Sequence, residues 1–197
     1  MISLMVLGGT QMLSLRKKRL KEALLKKREA RKQGRNAQKE RALNISDYLA
    51  VDRICFFQNA CTTLNVFQDL IGTIPIKNPA AVLEAVLARE QIGSTSIAPG
   101  IALPHARIAG IDRLLSTLAI CPAGIKTKPD EALVHLFLLF VSPLDGLKNH
   151  LRFLAGASAF FQKENIVKEL MQLKTAASIL EKIKELELKS HAEHPAK

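Results

Sequence analysis

The sequence predicts an α/β fold behind a basic N-terminal extension, and three observations carry that prediction. Val134-His135-Leu136-Phe137-Leu138-Leu139-Phe140-Val141 is a nearly continuous apolar run of strand length, the pattern of a central strand covered on both faces. Segments with helical spacing and clear start and stop signals precede and follow it, interleaved with short β-rich runs. Thirteen of the 29 Lys and Arg residues, but only three of the 18 Asp and Glu residues, fall within positions 1–46. The formal net charge of +11 therefore belongs to the extension, and the rest of the chain is close to neutral.

At 197 residues and 48% apolar, the expected organisation is one well-buried domain with appendages. These are a basic extension over 1–43, a globular domain over 44–188 and a tail over 189–197. Residues 13–43 read as a basic helix, helical or disordered in context, whose apolar positions Leu13, Leu20 and Leu24 are too sparse to hold a core. The block over 16–41 suits either a solvated tail or weak contact with nucleic acid or an anionic membrane surface, since cations meeting phosphates release counterions. Cys55, Cys61 and Cys121 are odd in number and show no ligand spacing, so neither a disulfide framework nor a metal site is expected. The apolar opening is followed, not preceded, by basic residues, which is the wrong order for a secretory signal. No apolar run reaches the roughly 18–20 residues of a membrane span, so the protein is not expected to span a membrane and a cytoplasmic setting is the default.

The elements then follow in order. Arg53-Ile54-Cys55-Phe56-Phe57 has strand composition. Thr62 or Thr63 can cap a helix with Leu64, Phe67, Leu70 and Ile71 on one face, stopped by Gly72. A second helix has Asn78 as N-cap, Pro79 at its first position, Val82, Leu83, Val86 and Leu87 inward, and Gly93 just past its end. Leu114-Leu115-Ser116-Thr117-Leu118-Ala119-Ile120 reads as a strand ended by Pro122. After the central run, Ser142-Pro143 closes the strand and Asp145 can cap a helix carrying Leu147, His150, Leu151 and Leu154 on one side. Two more helices follow, one through Ile166, Val167, Leu170 and Met171, the other starting at Thr175 and carrying Ile179, Leu180, Ile183 and Leu186. His135 reads as a packed residue of the central strand.

The chemistry concentrates between Arg89 and Arg107. An imidazole is mostly neutral near pH 7, so His105 can act as a nucleophile toward phosphorus through one ring nitrogen if the other is held by a hydrogen bond. Phosphoryl transfer otherwise needs positioning and neutralised oxygens. Arg89 and Arg107 supply guanidinium forks, Ser94 and Thr95 supply hydroxyls, and Gly93 and Gly100 open access to backbone N–H groups. Pro104 restricts Leu103 to extended geometry and so aims His105 off a strand end. A nucleotide-binding P-loop is excluded, because no Gly-Lys-Ser/Thr follows the glycines.

Taken together, Arg89-Glu90, Gly93-Ser94-Thr95, Gly100-Ile101-Ala102-Leu103-Pro104-His105 and Arg107 resemble the type-2 (fructose/mannitol and nitrogen-related) enzyme IIA domains of the bacterial phosphoenolpyruvate-dependent phosphotransferase system. The resemblance extends over roughly 44–188, with Ile45-Ser46-Asp47-Tyr48-Leu49 at the opening, the apolar strand ending in Pro143, and His150-Leu151 in the next helix. It implies a mixed β-sheet flanked by helices on both faces. It further implies that His105 accepts a phosphoryl group from an HPr-type phosphocarrier, assisted by His150 and with Arg89 stabilising charge. Ser94, Thr95, Gly100 and Arg107 would line the phosphoryl site. A regulatory nitrogen-type role is favoured over sugar uptake, the onward partner being a IIB domain or a regulated protein. The altered loop at Ser96 and Pro99 and the basic extension motivate the other reading, a non-catalytic module of this fold that regulates a partner by docking. No cofactor or metal is implied, since phosphoryl would pass directly between histidines. Ser96 stands where the family usually has Gly, so a left-handed backbone there would strain it.

Overall fold

The computed structural model describes residues 43–58 and 61–193, together with Lys26. The basic helix expected over 13–43 and the contact surface expected over 16–41 otherwise lie outside the described residues.

A mixed six-stranded sheet runs through the domain. The strands are β1 (Ile54–Phe56), β2 (Ser96–Ala98), β3 (Gly100–Ala102), β4 (His105–Ile108), β5 (Leu115–Ile125) and β6 (Val134–Pro143). Their order is β1-β5-β6-β3-β2, and β4 also pairs with β6. β5 and β6 are antiparallel, as are β2 and β3, whereas β1 runs parallel to β5 and both β3 and β4 run parallel to β6. β3 and β4 are thus two halves of one strand position, interrupted at Leu103-Pro104 because Pro104 has no N–H for a ladder. The carbonyl of Pro104 still accepts the N–H of Phe140 at 3.0 Å, which keeps the interruption tight against β6.

Alternation along β6 divides the core in two. Leu136, Leu138 and Phe140 join one cluster with Phe153, Ala157, Ile166, Leu170, Ile179 and Ile183. Phe137, Leu139 and Val141 join another with Val66, Phe67, Leu70, Val82 and Val86. The first cluster is covered by α3 (Leu147–Phe161), α4 (Ile166–Met171) and α5 (Ala176–Glu193), the second by α1 (Thr63–Gly72) and α2 (Pro79–Ile92). Helices therefore flank both faces, as the sequence implies, and the apolar run of β6 is explained by its having no solvent face.

Local signals set most boundaries. Thr62 caps α1 in a reciprocal box with Asn65, and Asn78 Oδ1 accepts the Ala81 N–H at 3.2 Å ahead of Pro79. Thr175 Oγ1 accepts the Ser178 N–H at 3.1 Å before α5. Four expectations are corrected. Pro122 does not end its strand; β5 runs on to Ile125 through an irregular register, where a missing N–H does no harm. Asp145 is not the cap of α3, which begins after Gly146 without a side-chain cap. Leu64 is 44% exposed on α1, where Val66 takes the inward place. On α3 the buried stripe is His150, Phe153, Ala157, Phe160 and Phe161, leaving Leu147 and Leu151 about half exposed.

A buried carboxylate ties the two ends of the domain together. Glu187 on α5 accepts the Ile45 N–H, and it accepts the Ser46 hydroxyl at 2.6 Å. The 3-10 turn Ile45–Asp47 is thereby anchored, and burial pushes the Glu187 carboxyl above its usual value.

Candidate active site

His105 opens β4 immediately after Pro104, in register with Phe140. Paired residues of neighbouring strands face the same way, so its ring lies on the Phe140 side of the sheet. The two rings stack, with centroids 5.3 Å apart and planes 19° from parallel. The Nδ1–H of His105 donates to the Leu103 carbonyl at 2.8 Å, because a carbonyl can only accept. That fixes the tautomer and leaves a lone pair on Nε2. Arg89, delivered by the last turn of α2, donates its Nε–H to that lone pair at 3.1 Å and an Nη1–H to the Gly93 carbonyl at 3.0 Å.

His150 approaches from α3. Its ring centroid is 5.2 Å from that of His105, and its Nδ1 is 2.7 Å from the buried hydroxyl of Ser142. Both histidines are buried, at 7% and 6% exposure, so little of either ring meets solvent. Burial, then His105 and the guanidinium charges of Arg107 and Arg89, push His150 down to about 4. Burial lowers His105 as well, with Arg89 adding to the effect while the Leu103 carbonyl and Glu90 work against it. Both imidazoles are accordingly neutral near pH 7.

The connection from α2 to β2 is held by Glu90, whose carboxylate accepts the Thr95 N–H at 3.2 Å and the Thr95 hydroxyl at 2.6 Å. Thr95 in turn accepts the Leu103 N–H at 2.9 Å, so Glu90, Thr95 and Leu103 form a chain that ends at the carbonyl orienting His105. Gly93 follows α2 as expected, in extended geometry with φ 174°, and Ser96 lies in β2. Asn165 is the non-glycine residue with positive φ among the described residues, so Ser96 carries no left-handed strain.

The structure thus brings Arg89, His105 and His150 together, with Thr95 behind them. Arg107 stands at the exposed edge, donating to the Leu144 carbonyl at 3.0 Å, and its charge reaches His150. Ser94 turns to Glu131, donating at 3.0 Å, and with Thr127 it holds that carboxyl below the usual carboxylate range. Gly100 pairs with Val134, six β6 residues from the partner of His105. Sequence reasoning assigned no role to Ser142, Phe140, the Leu103 carbonyl or Glu90. The visible signals among them were Glu90 beside Arg89 and the Ser142 hydroxyl after an apolar run. Among the described residues, no group of three or more His, Cys, Asp or Glu side chains could hold a metal ion. None of the described helices is long and apolar enough to cross a membrane.

The family profile described as phosphoenolpyruvate-dependent sugar phosphotransferase system, EIIA 2, matches residues 62–186, and the chain belongs to this family. A nitrogen regulatory protein of Bradyrhizobium diazoefficiens is 28% identical over 104 residues, covering 52% of this chain and 68% of that protein. The fructose-specific EIIABC component of Bacillus subtilis is 25% identical over 122 residues, covering 59% of this chain but 19% of that much longer protein. The crystal structure of nitrogen regulatory protein IIA-Ntr from Neisseria meningitidis matches with a TM-score of 0.64 at 23% identity, covering 71% of this chain and 98% of that one. At that identity the match speaks for the fold.

Proposed function

We propose that His105 is a phosphoryl acceptor, charged by the phosphohistidine of an HPr-type carrier, and that Nε2 is the nucleophilic atom. The observation that carries this reading is the pair of bonds on one ring: Nδ1–H to the Leu103 carbonyl at 2.8 Å, and Arg89 Nε–H to Nε2 at 3.1 Å. The first keeps the lone pair on Nε2 and stabilises positive charge on the ring once it is phosphorylated. The second holds a guanidinium where the incoming phosphoryl oxygens arrive. As Nε2 bonds to phosphorus, the bond from phosphorus to the donor imidazole breaks, and its electron pair returns to the donor nitrogen. Arg89 then exchanges its bond to Nε2 for one to a phosphoryl oxygen. His150 is neutral, with Nδ1 2.7 Å from the Ser142 hydroxyl; in the tautomer whose Nδ1 accepts that hydroxyl's proton, Nε2–H is a second donor to the phosphoryl group.

A protein donor suits the rim. Leu144, Leu147 and Leu151 are each about half exposed on the loop and helix that carry His150, with Arg107 beside Leu144. Large apolar side chains ringed by a cation make a docking surface for another protein. The onward acceptor would be a IIB domain or a regulated protein. The nitrogen-type regulatory role rests on the names of relatives such as the Bradyrhizobium protein. Ser94 and Gly100 have no part in this scheme.

The test is incubation of the full chain with phosphoenolpyruvate, enzyme I and an HPr-type carrier from the same source. The expected product is an acid-labile phosphohistidine on Nε2 that is missing from His105→Ala. Label retained by His105→Ala, or carried on Nδ1, would refute the assignment.

A further inference from the structure

The sheet is deformed on both sides of His135, far from His105. Gly100 pairs with Val134 while His105 pairs with Phe140, which separates them by roughly 20 Å at the ~3.3 Å rise of a strand. Between β3 and β6 the register passes from Gly100↔Val134 to Ile101↔Leu136, leaving His135 as an extra residue of β6. Between β5 and β6 it passes from Ile120↔Leu136 to Ile125↔Val134. A bulge re-aims a side chain at the expense of ladder hydrogen bonds.

Two glycines flank the re-aimed ring. A Cβ on Gly124, at φ +73°, would stand 2.8 Å from His135 Cε1, and one on Gly100, at φ +88°, would stand 3.6 Å from His135 Cδ2. The Nδ1–H of His135 donates to the Cys121 carbonyl at 3.2 Å, so Nε2 carries a lone pair and can only accept. Among the described residues no group donates to it. Arg53 Nη1 is the one buried side-chain nitrogen or oxygen among them without a partner, so His135 Nε2 is open to the space beside the ring.

His135 borders a cavity of about 640 Å³ whose other walls include Pro99, Phe161, Val167 and Met171. The volume is within the range of small-molecule sites, and an apolar wall with few polar groups is their usual lining. The charged residues that border it, Lys163, Glu164 and Lys168, are all exposed, and Lys163 donates to the Ser190 hydroxyl. Their charges are of both signs and stay in water, so they select no charge for an occupant. Selection falls to His135. Its lone pair repels a carboxylate, an ether or a hydrocarbon leaves it unsatisfied, and apolar walls penalise an ammonium. We infer that this cavity binds a small uncharged hydroxyl compound with an apolar body. The ligand's O–H donates to His135 Nε2, and its body lies against Phe161, Val167 and Met171. A ring suits those walls, because a thioether and a phenyl ring both make favourable aromatic contacts. The site requires no phosphoryl chemistry and stands apart from the proposed role of His105.

The experiment is a titration of the full chain, labelled with 15N, by phenol at about pH 8, where phenol and an imidazole are both uncharged. Phenol is expected to give saturable shifts at the amides of Gly100, Gly124 and His135, and to move the His135 Nε2 resonance as that atom accepts a hydrogen bond. Anisole keeps the ring but has no donor. It is expected to bind about tenfold more weakly, the loss of one hydrogen bond, and to leave the Nε2 resonance in place. Benzoate is expected to bind at least as weakly as anisole. His135→Phe keeps a ring and removes the acceptor, and is expected to bind phenol and anisole within about twofold of each other. Phenol shifts that fail to saturate or scatter over the domain would overturn the proposal. So would anisole or benzoate matching phenol on the wild type, or a phenol preference kept by folded His135→Phe. The wild-type comparison of phenol with anisole decides the matter whether or not that variant folds.

Discussion

Replacing His150 with Gln should make the domain less sensitive to acid. His150 titrates at about 4 in the folded domain against a usual 6.5, chiefly because it is buried. The unfolded chain therefore binds more protons than the folded one between those values, so this histidine makes stability fall as pH falls. The contribution is level above about pH 7, costs about 2 kcal/mol by pH 5 and about 3 kcal/mol as pH approaches 4. His150→Gln keeps a side chain able to bond the Ser142 hydroxyl but removes the titration. Urea unfolding of both proteins at about pH 7.5, 6 and 5 isolates the term, because every carboxylate is common to the pair. The wild type should lose about 2 kcal/mol more than the variant on going from pH 7.5 to 5. Parallel loss in the two would refute the assignment of a buried, neutral His150.

Three other outcomes are expected. Arg89→Ala should slow phosphorylation at His105 by about a hundredfold, as loss of one positioned donor does. Arg89→Lys should recover only part of that rate, because an ammonium cannot serve both Nε2 and the Gly93 carbonyl; quench-flow with a phosphorylated carrier measures both. Leu151→Asp, at a half-exposed position, should raise the KM for the carrier about tenfold with little change in Tm, and an unchanged KM would remove the leucine rim from the docking surface. Gly124→Ala should cost about 2 kcal/mol or more in urea unfolding, since it combines φ +73° with a Cβ 2.8 Å from the His135 ring.

Much of the site was legible because local rules govern it. Asn78, Pro79 and Gly93 bracket α2 by capping chemistry, and α2 fixes where Arg89 emerges. Pro104 breaks the ladder beside His105 whatever surrounds it. Helical spacing placed His150 inward on α3, yet it also placed Leu147 and Leu151 there. Periodicity gives the angle between residues but not which arc the sheet will cover. Phe153, Ala157 and Phe160 won that arc because the larger aromatic surface is what β6 buries against α3. The short β2–β3 hairpin and the continuation of β5 past Pro122 were hidden for a related reason. Strands of three residues have too little periodicity to read, and a bulge tolerates a proline that a regular ladder would not.

By itself the sequence determined the class of fold, the apolar central strand, the gathering of the net positive charge within positions 1–46, and the histidine after Pro104 as the candidate for the chemistry. Each follows from neighbours within a few residues, where sterics and hydrogen bonding act without knowledge of the rest. The tertiary structure alone decided which ring nitrogen is free, that Ser142 meets His150, that Glu90 braces the Leu103 carbonyl through Thr95, and that Gly100 serves the far end of the strand. It also joined Glu187 to Ile45 across 142 positions of sequence. Those contacts depend on strand register and on which helix face is buried, and both are settled only when distant segments share one core.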